Sequence, residues 1–529
     1  MTRLPRSIWI SVLLVSALVF CWRLNTVPLT NWDEGIYANT NLELFHSQDW
    51  TKLTYFGAKF LEKPPLQFWG TYVLFGVFGP TEFAVRLWSA LAGIATALLL
   101  ALWGWQATQK KSVAWIAALS FVFGRFALIH AFRTGDLDGL MTLFIVVAMY
   151  AYWRSLKTPR WFLIWGVATA AAVMTKSVAG LIPLFVVGLD ILISRGWRRI
   201  GWGNIGWGVG ALIIFAAPWH IIETVRFGSK FWDDYLGWNI IQRSTESLFT
   251  KTPWYWYFGI IRDRWFPFSY LLPLVIITAG WRAWKQRSDL DRLLLIWGAI
   301  VLIFFTLIQT RREWYILPFY PAAALLVAIT VERWWNEKQN MTMKVFAILT
   351  SIAMFAYIPV DHHLKALLAH IPVFQKLSSG FWISKPGQLA FGIVVMSIIL
   401  VVAWLLRKYK FSLQRWTMVG IGGAMMLMAV IWTVQYTRSL PTDLPLKTIA
   451  ARLEQEHVQN VMLIGTKLKK QPAGYFYILR LDTHSQEYPV GTSPRTPLII
   501  TTSEPQNAPL NTEGKVLAKD GVFVLLDLR

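Results

Sequence analysis

Apolar runs long enough to cross a bilayer recur along most of this chain, and short basic clusters separate them. A transmembrane helix needs about 20 mostly apolar residues. Runs near that length fall at 8–23, 83–106, 112–131, 138–153, 161–175, 180–194, 204–222, 267–282, 292–309, 316–332, 344–360, 388–406 and 416–435, about thirteen in all. Only 15% of the 529 residues are charged, and mean hydropathy is +0.44. Soluble domains carry roughly 25% charged residues. The chain therefore reads as an all-α polytopic membrane protein. The stretch 65–79 is short and Gly-containing and follows Pro64-Pro65, so it reads as an interfacial helix under the first loop.

The formal net charge of +22 raises the question of a nucleic-acid partner. The basic residues answer it, because most lie in short clusters between apolar runs, as topology signals do. Those clusters are Lys110-Lys111, 154–160, 195–199, 282–292, 332–344 and 407–415, and they fall on alternate connections together with Arg3 and Arg6. Basic connectors face the cytoplasm. The other side then receives the loop 24–82, the short loop 133–139, the loop 223–266, the segment 311–315 and the loop 361–387. The 31 Trp and 33 Phe suit rings at headgroup level. The single Cys21 excludes an internal disulfide and a Cys-based metal site. The run after Met1 is long and lacks a small-residue cleavage site, which predicts an uncleaved first helix. From about residue 437 the composition changes. "LKTIAARLEQEH" reads as a helix, and "VQNVMLIGT", "TPLIITTS" and "DGVFVLLDL" read as strands. The expected organisation is a membrane domain over 1–436 and a small outer α/β domain over 437–529.

Conspicuous acids gather on the predicted outer face. Asp33 and Glu34 stand in the first outer loop, and Asp136 and Asp138 lie at the mouth of the fourth span. Glu62 and Lys63 precede Pro64-Pro65, and His220 ends the seventh span. Any one of these alone could snorkel to water, but several converging on one side point to a site, because isolated charges at a membrane are costly. An acid suits a general base acting on an acceptor hydroxyl or amine. A lipid-phosphate leaving group needs cations and donors, and Lys63, Arg226, Arg243, Arg311, Arg312 and Tyr315 are outer-face groups able to hold one. A proton transporter would instead place acids in mid-span, where Asp190, near an inner end, is the nearest case.

"NWDEGIYANTNLELFHSQDW", "FLEKPPLQFW" and "GPTEFAVRLWSALAG" resemble the first outer loop of the GT-C glycosyltransferases of the protein O-mannosyltransferase superfamily. The likeness is greatest to the bacterial branch that includes the lipid A aminoarabinose transferase. "RTGDLDGLMTLF", "MTKSVAGLIP", "AAPWH" and "WYILPFYPAAALL" extend it in order over roughly residues 1–335. The resemblance implies transfer of a sugar from a polyprenyl-phosphate donor, such as undecaprenyl phosphate, to a lipid A or other envelope acceptor. The setting implied is the periplasmic face of a bacterial inner membrane, by a monomer with no nucleotide cofactor. It implies Asp33 as the catalytic carboxylate, flanked by Glu34. The family's second acid falls on Asp138, with Asp136 as the other choice. Lys63 and Tyr315 would hold the donor phosphate, and Arg226 is a looser match. Glu62 and His220 match positions implicated in holding a zinc ion, and a plain Glu–His hydrogen bond is the alternative. Two protein ligands are fewer than the three usual for catalytic zinc. The aromatic loop 223–266 resembles the family's mobile juxtamembrane helix over the donor entrance, and it also suits an interfacial belt. Protein hydroxyls as acceptors, or a lipid or ion transporter, are the rival readings.

Overall fold

The structure, a computed structural model, describes residues 2–336 except 129, 248–251 and 267. Farther along it describes 447–455, 462–464, 472–480, 487–488, 498–502, 515–520 and 523–527. The expected spans at 344–360, 388–406 and 416–435, the connector 407–415, the loop 361–387 and the domain boundary near 437 lie outside the described residues.

Helices run over Arg6–Cys21 (α1), Asp33–Ser47 (α2), Leu66–Phe78 (α3), Glu82–Thr108 (α4), Lys111–Val122 (α5), Leu137–Ser155 (α6), Trp161–Lys176 (α7), Ile182–Ser194 (α8) and Trp197–Ile200 (α9). They continue over Trp202–Phe227 (α10), Ser229–Trp232 (α11), Arg243–Thr245 (α12), Trp256–Arg264 (α13), Leu272–Lys285 (α14), Asp289–Leu307 (α15) and Phe319–Asn336 (α16). Among the described residues, five helical stretches are long and apolar enough to cross a membrane: Glu82–Thr108, Leu137–Ser155, Trp161–Ser194, Trp202–Phe227 and Asp289–Leu307. Helices α1, α3 and α5 are apolar but shorter.

Several expected limits move for local reasons. The run 112–131 is helical only to Val122, because Gly124 is extended and Arg125–Ala127 form a 3-10 turn. Helix α10 passes its expected end at 222 and stops at Gly228, whose φ of 59° suits a glycine cap. Glu223 and Arg226 thereby become helical. A π-helical stretch, Asp233–Gln242, replaces the regular helix expected in the following loop. Small residues let helices meet closely. A Cβ on Gly166 of α7 would lie 1.9 Å from the Gly208 carbonyl of α10, so the two backbones touch there. The Trp residues divide. Trp9, Trp202, Trp207 and Trp284 are exposed as interfacial rings would be, whereas Trp103, Trp165, Trp265 and Trp297 are fully buried in the helix bundle.

The described basic connectors meet at one end. Arg199 pairs with Asp289 at 2.6 Å, Arg292 with Asp190 at 2.7 Å and Arg282 with Asp291 at 2.5 Å. Thr2 donates to Gln109 at 2.9 Å, which brings the chain start to the same end. Asp190 also accepts from Tyr152 at 2.6 Å, so this in-span acid is held in a structural pair rather than left open for proton passage. Helix α4, at about 1.5 Å rise per residue, carries the chain ~40 Å from this end to the other.

At the far end a small hairpin, Thr54–Tyr55 (β1) with Ala58–Lys59 (β2), closes the first long loop. The distal elements are helices Lys447–Gln455 (α17) and Pro472–Leu479 (α18) and strands Met462–Ile464 (β3), Glu487–Tyr488 (β4), Leu498–Thr502 (β5), Lys515–Asp520 (β6) and Phe523–Asp527 (β7). The sheet order is β4-β3-β5-β7-β6, with β3 parallel to β4 and β5, and β7 antiparallel to β5 and β6. The helix and three strands expected there are present. Helix α18 and strands β4 and β6 were not anticipated. Ile449, Ala450, Leu453 and Ile500 join the α18 side chains in one buried cluster with Leu29, Ala38 and Leu42 of the first loop.

Candidate active site

The first loop is built around one buried ion pair. Glu34, 1% exposed, meets Arg86 of α4 through Oε1–Nε at 2.6 Å and Oε2–Nη2 at 3.0 Å. The Arg86 guanidinium also donates to the carbonyls of Leu24, Val27 and Pro28 at 2.8, 2.7 and 2.8 Å. Glu34 further accepts from the Thr30 amide at 2.7 Å and the Gly135 amide at 2.9 Å. Burial alone would raise the Glu34 pKa, but Arg86 and the two amides outweigh it and hold the carboxyl below its usual range. Glu34, expected beside the reacting centre, is thus the rivet that joins α2, α4 and the 133–136 segment. Gln67 of α3 donates to the Gly135 carbonyl at 2.8 Å and adds a second tie.

Asp33 is the first residue of α2 and contrasts with its neighbour. It is half-buried and makes no hydrogen bond or ion pair with any described residue. Trp32 before it takes φ 72° and is 72% exposed. The charges of Asp33, Glu62, Arg243 and Lys176 all bear on Lys63, a buried ammonium. Burial pushes Lys63 down to about 8, Glu62 and Asp33 oppose that, and Arg243 and Lys176 add to it. Arg243 donates to the Tyr315 hydroxyl at 3.3 Å, and the Arg243 Nε is buried with no partner among the described residues. An anion in this group would meet Lys63, Arg243, Tyr315 and Lys176.

Asp138, at the start of α6, receives both of its close contacts from Lys176 at the end of α7, at 2.6 Å to each oxygen. Lys176 also lies 5.1 Å from the Tyr315 ring centre. Asp136 accepts from the Thr134 hydroxyl at 2.6 Å and pairs with His130 Nδ1 at 3.3 Å, while its Oδ1 is buried without a partner among the described residues. Burial would lower the His130 pKa, but the Asp136 contact outweighs this and raises it. Arg86, His130 and Lys176 are site residues that the sequence reading did not single out. Lys176 had a signal in "MTKSVAGLIP", a lone cation at the end of an apolar run.

Other expected members fall elsewhere. Arg311 is spent on backbone carbonyls, Thr252 at 2.6 Å and Thr306 at 2.7 Å, and so holds its loop rather than offering a free fork. Arg312 lies over the Trp314 ring, 5.6 Å from its centre. Arg226 donates to the Thr51 carbonyl at 3.1 Å and lines a separate cavity of about 360 Å³ with Lys52, Lys59, Trp219 and Glu223. Glu62 and His220 make no hydrogen bond to each other. His220 Nδ1 contacts the Ala216 carbonyl at 2.8 Å, which leaves Nε2 to pair with the Tyr235 hydroxyl at 2.8 Å. No group of three His, Cys, Asp or Glu side chains is assembled among the described residues.

Residues 10–233 match the family model described as dolichyl-phosphate-mannose-protein mannosyltransferase. The undecaprenyl phosphate-alpha-4-amino-4-deoxy-L-arabinose arabinosyl transferase of Serratia proteamaculans is 29% identical over 349 residues, 64% of this chain. That match spans 61% of the Serratia protein. The protein of the same name from Aeromonas salmonicida is 25% identical over 477 residues, 87% of this chain and 82% of its own. Among solved structures, ArnT from Cupriavidus metallidurans bound to undecaprenyl phosphate has a TM-score of 0.72 at 19% identity, covering 99% of both chains. At that identity the likeness speaks for the fold. The chain thus resembles the dolichyl-phosphate-mannose-protein mannosyltransferase family over residues 10–233, resembles the arabinosyl transferases over more of its length, and shares the fold of ArnT.

Proposed function

We propose that this protein transfers a sugar from undecaprenyl phosphate to lipid A or a similar envelope acceptor. The proposed setting is the periplasmic face of the inner membrane, with the N-terminus cytoplasmic, about thirteen spans in the bundle and residues 437–529 outside. The observation that carries the reading is the Asp33 carboxylate, with no hydrogen bond or ion pair among the described residues, set beside a cationic group, Lys63, Arg243 and Lys176, in which the Arg243 Nε is likewise unpaired among those residues. The relatives act on a donor of this chemistry by name.

In this mechanism Asp33 accepts the proton of the acceptor hydroxyl or amine, and the freed lone pair attacks C1 of the sugar. The C1–O bond breaks in line, and polyprenyl phosphate leaves with the electron pair. Lys63, Arg243, Lys176 and the Tyr315 hydroxyl stabilise the departing phosphate, each worth most in a dry, fixed setting. In-line attack inverts C1. Asp138 holds Lys176, and Glu34 holds the turn that carries Asp33. Mass spectrometry of envelope lipids and proteins from cells with and without the gene tests the reading. A sugar lost from lipid A supports it, a sugar lost from protein would favour the protein-acceptor reading, and unchanged envelopes would count against transfer.

A further inference from the structure

Helix α18 packs against the turn that presents Asp33, although the two are far apart in sequence. The Leu29 amide donates to the Tyr477 hydroxyl at 3.0 Å across 448 positions. Tyr477 in turn donates to Glu82 Oε1 in the first turn of α4, also at 3.0 Å. The Ala473 amide donates to Asn31 Oδ1 at 3.3 Å, and Asn39 of α2 donates to the Pro472 carbonyl at 2.5 Å. Backbone meets backbone at Gly35, where an added Cβ would lie 2.5 Å from the Ala473 nitrogen. Tyr475 stacks on Phe56 of the hairpin loop at 4.3 Å. Pro472 through Ile478 are all buried.

The turn needs such holding. Trp32 sits at φ 72° and ψ −130° with no glycine to ease it. A backbone of this kind costs roughly 1–3 kcal/mol and persists only where its surroundings over-determine it. Leu29 is pinned by Tyr477, Thr30 by Glu34 and Asn31 by Ala473, one residue after another up to Trp32. Two of these three pins come from α18.

We propose that α18 is a positioning element of the active site, fixing through Tyr477 and Ala473 the strained turn that aims the Asp33 carboxylate. The inference rests on Asp33 being the catalytic base. Tyr477→Phe removes one oxygen and keeps the buried ring. Hydrogen exchange at the Leu29 amide is expected to quicken. Turnover with undecaprenyl phosphate aminoarabinose and lipid A is expected to fall roughly tenfold to a hundredfold, as for a slightly misaimed group. KM for the donor stays unchanged, because the phosphate-holding side chains are untouched. Gly35→Ala, pressing on α18 from the other side, gives the same split of kcat from KM. Glu82→Gln keeps an oxygen for the Tyr477 hydroxyl and retains near-parent turnover. Normal turnover by Tyr477→Phe beside an inactive Asp33→Asn overturns the inference alone. An active Asp33→Asn overturns the catalytic assignment on which it rests. Equal losses of kcat in Tyr477→Phe and Glu82→Gln, tracking a shared drop in melting temperature, would reduce α18 to a structural brace and also overturn the inference.

Discussion

Two adjacent acids are expected to answer the same substitution in opposite ways. In Glu34→Gln the side chain keeps its size but loses its charge and one acceptor. With the amide nitrogen in place of Oε1, Arg86 Nε and the Gly135 amide lose their acceptor. With it in place of Oε2, the Thr30 amide and Arg86 Nη2 do. Neither orientation satisfies the site, and each leaves Arg86, 2% exposed, without its counter-charge. A buried donor left unmet costs about 1–3 kcal/mol, and breaking one side of a buried ion pair costs about 3–5 kcal/mol. The expected loss is therefore ~3–5 kcal/mol, a large part of the stability of an ordinary fold. Asp33→Asn breaks no hydrogen bond among the described residues and should leave stability near that of the parent. Thermal unfolding of the purified proteins in one detergent reads the difference. A Glu34→Gln protein that melts with the parent would refute the rivet, and with it the way the first loop is held.

Three further outcomes follow from the same geometry. Lys63 is pushed down to about 8, and only its cationic form attracts phosphate, so donor binding should weaken as pH rises through that value. Lys63→Arg stays charged and should lose this alkaline limb in a donor-binding titration. Arg243→Gln removes a charged donor beside Tyr315 and should weaken donor binding roughly tenfold to a hundredfold. Arg311→Gln should leave donor binding alone and lower the melting temperature, because that guanidinium serves the Thr252 and Thr306 carbonyls.

The pattern of apolar runs and basic connectors was enough to mark a helical membrane protein, because both signals are local and repeat. It could not mark where α5 stops or how far α10 runs, since a 3-10 turn and a glycine cap decide those ends. The acids of the first loop were legible as a group. Their division of labour was not, because "DE" looks the same whether or not Arg86, 52 positions away, reaches one of them. Lys176 was overlooked as a site residue for a similar reason, since its partner Asp138 lies on the neighbouring helix. Arg226 and Arg311 looked interchangeable with Arg243 in sequence. Only the carbonyls around Arg311 and the cavity around Arg226 tell them apart. The pairing of Glu62 with His220 rested on family positions, and Tyr235 is what His220 meets instead. Nothing in "PAGYFYIL" announced that its second tyrosine, Tyr477, would meet Leu29.

The central claim is that the Asp33 carboxylate takes the acceptor proton. Its most direct test is single-turnover transfer by purified Asp33→Asn loaded with undecaprenyl phosphate aminoarabinose and given lipid A, with donor binding measured on the same sample. The account predicts donor binding equal to the parent and transfer reduced by at least about a hundredfold, the scale of a lost general base. Transfer at a rate near that of the parent, with the donor bound, would contradict it.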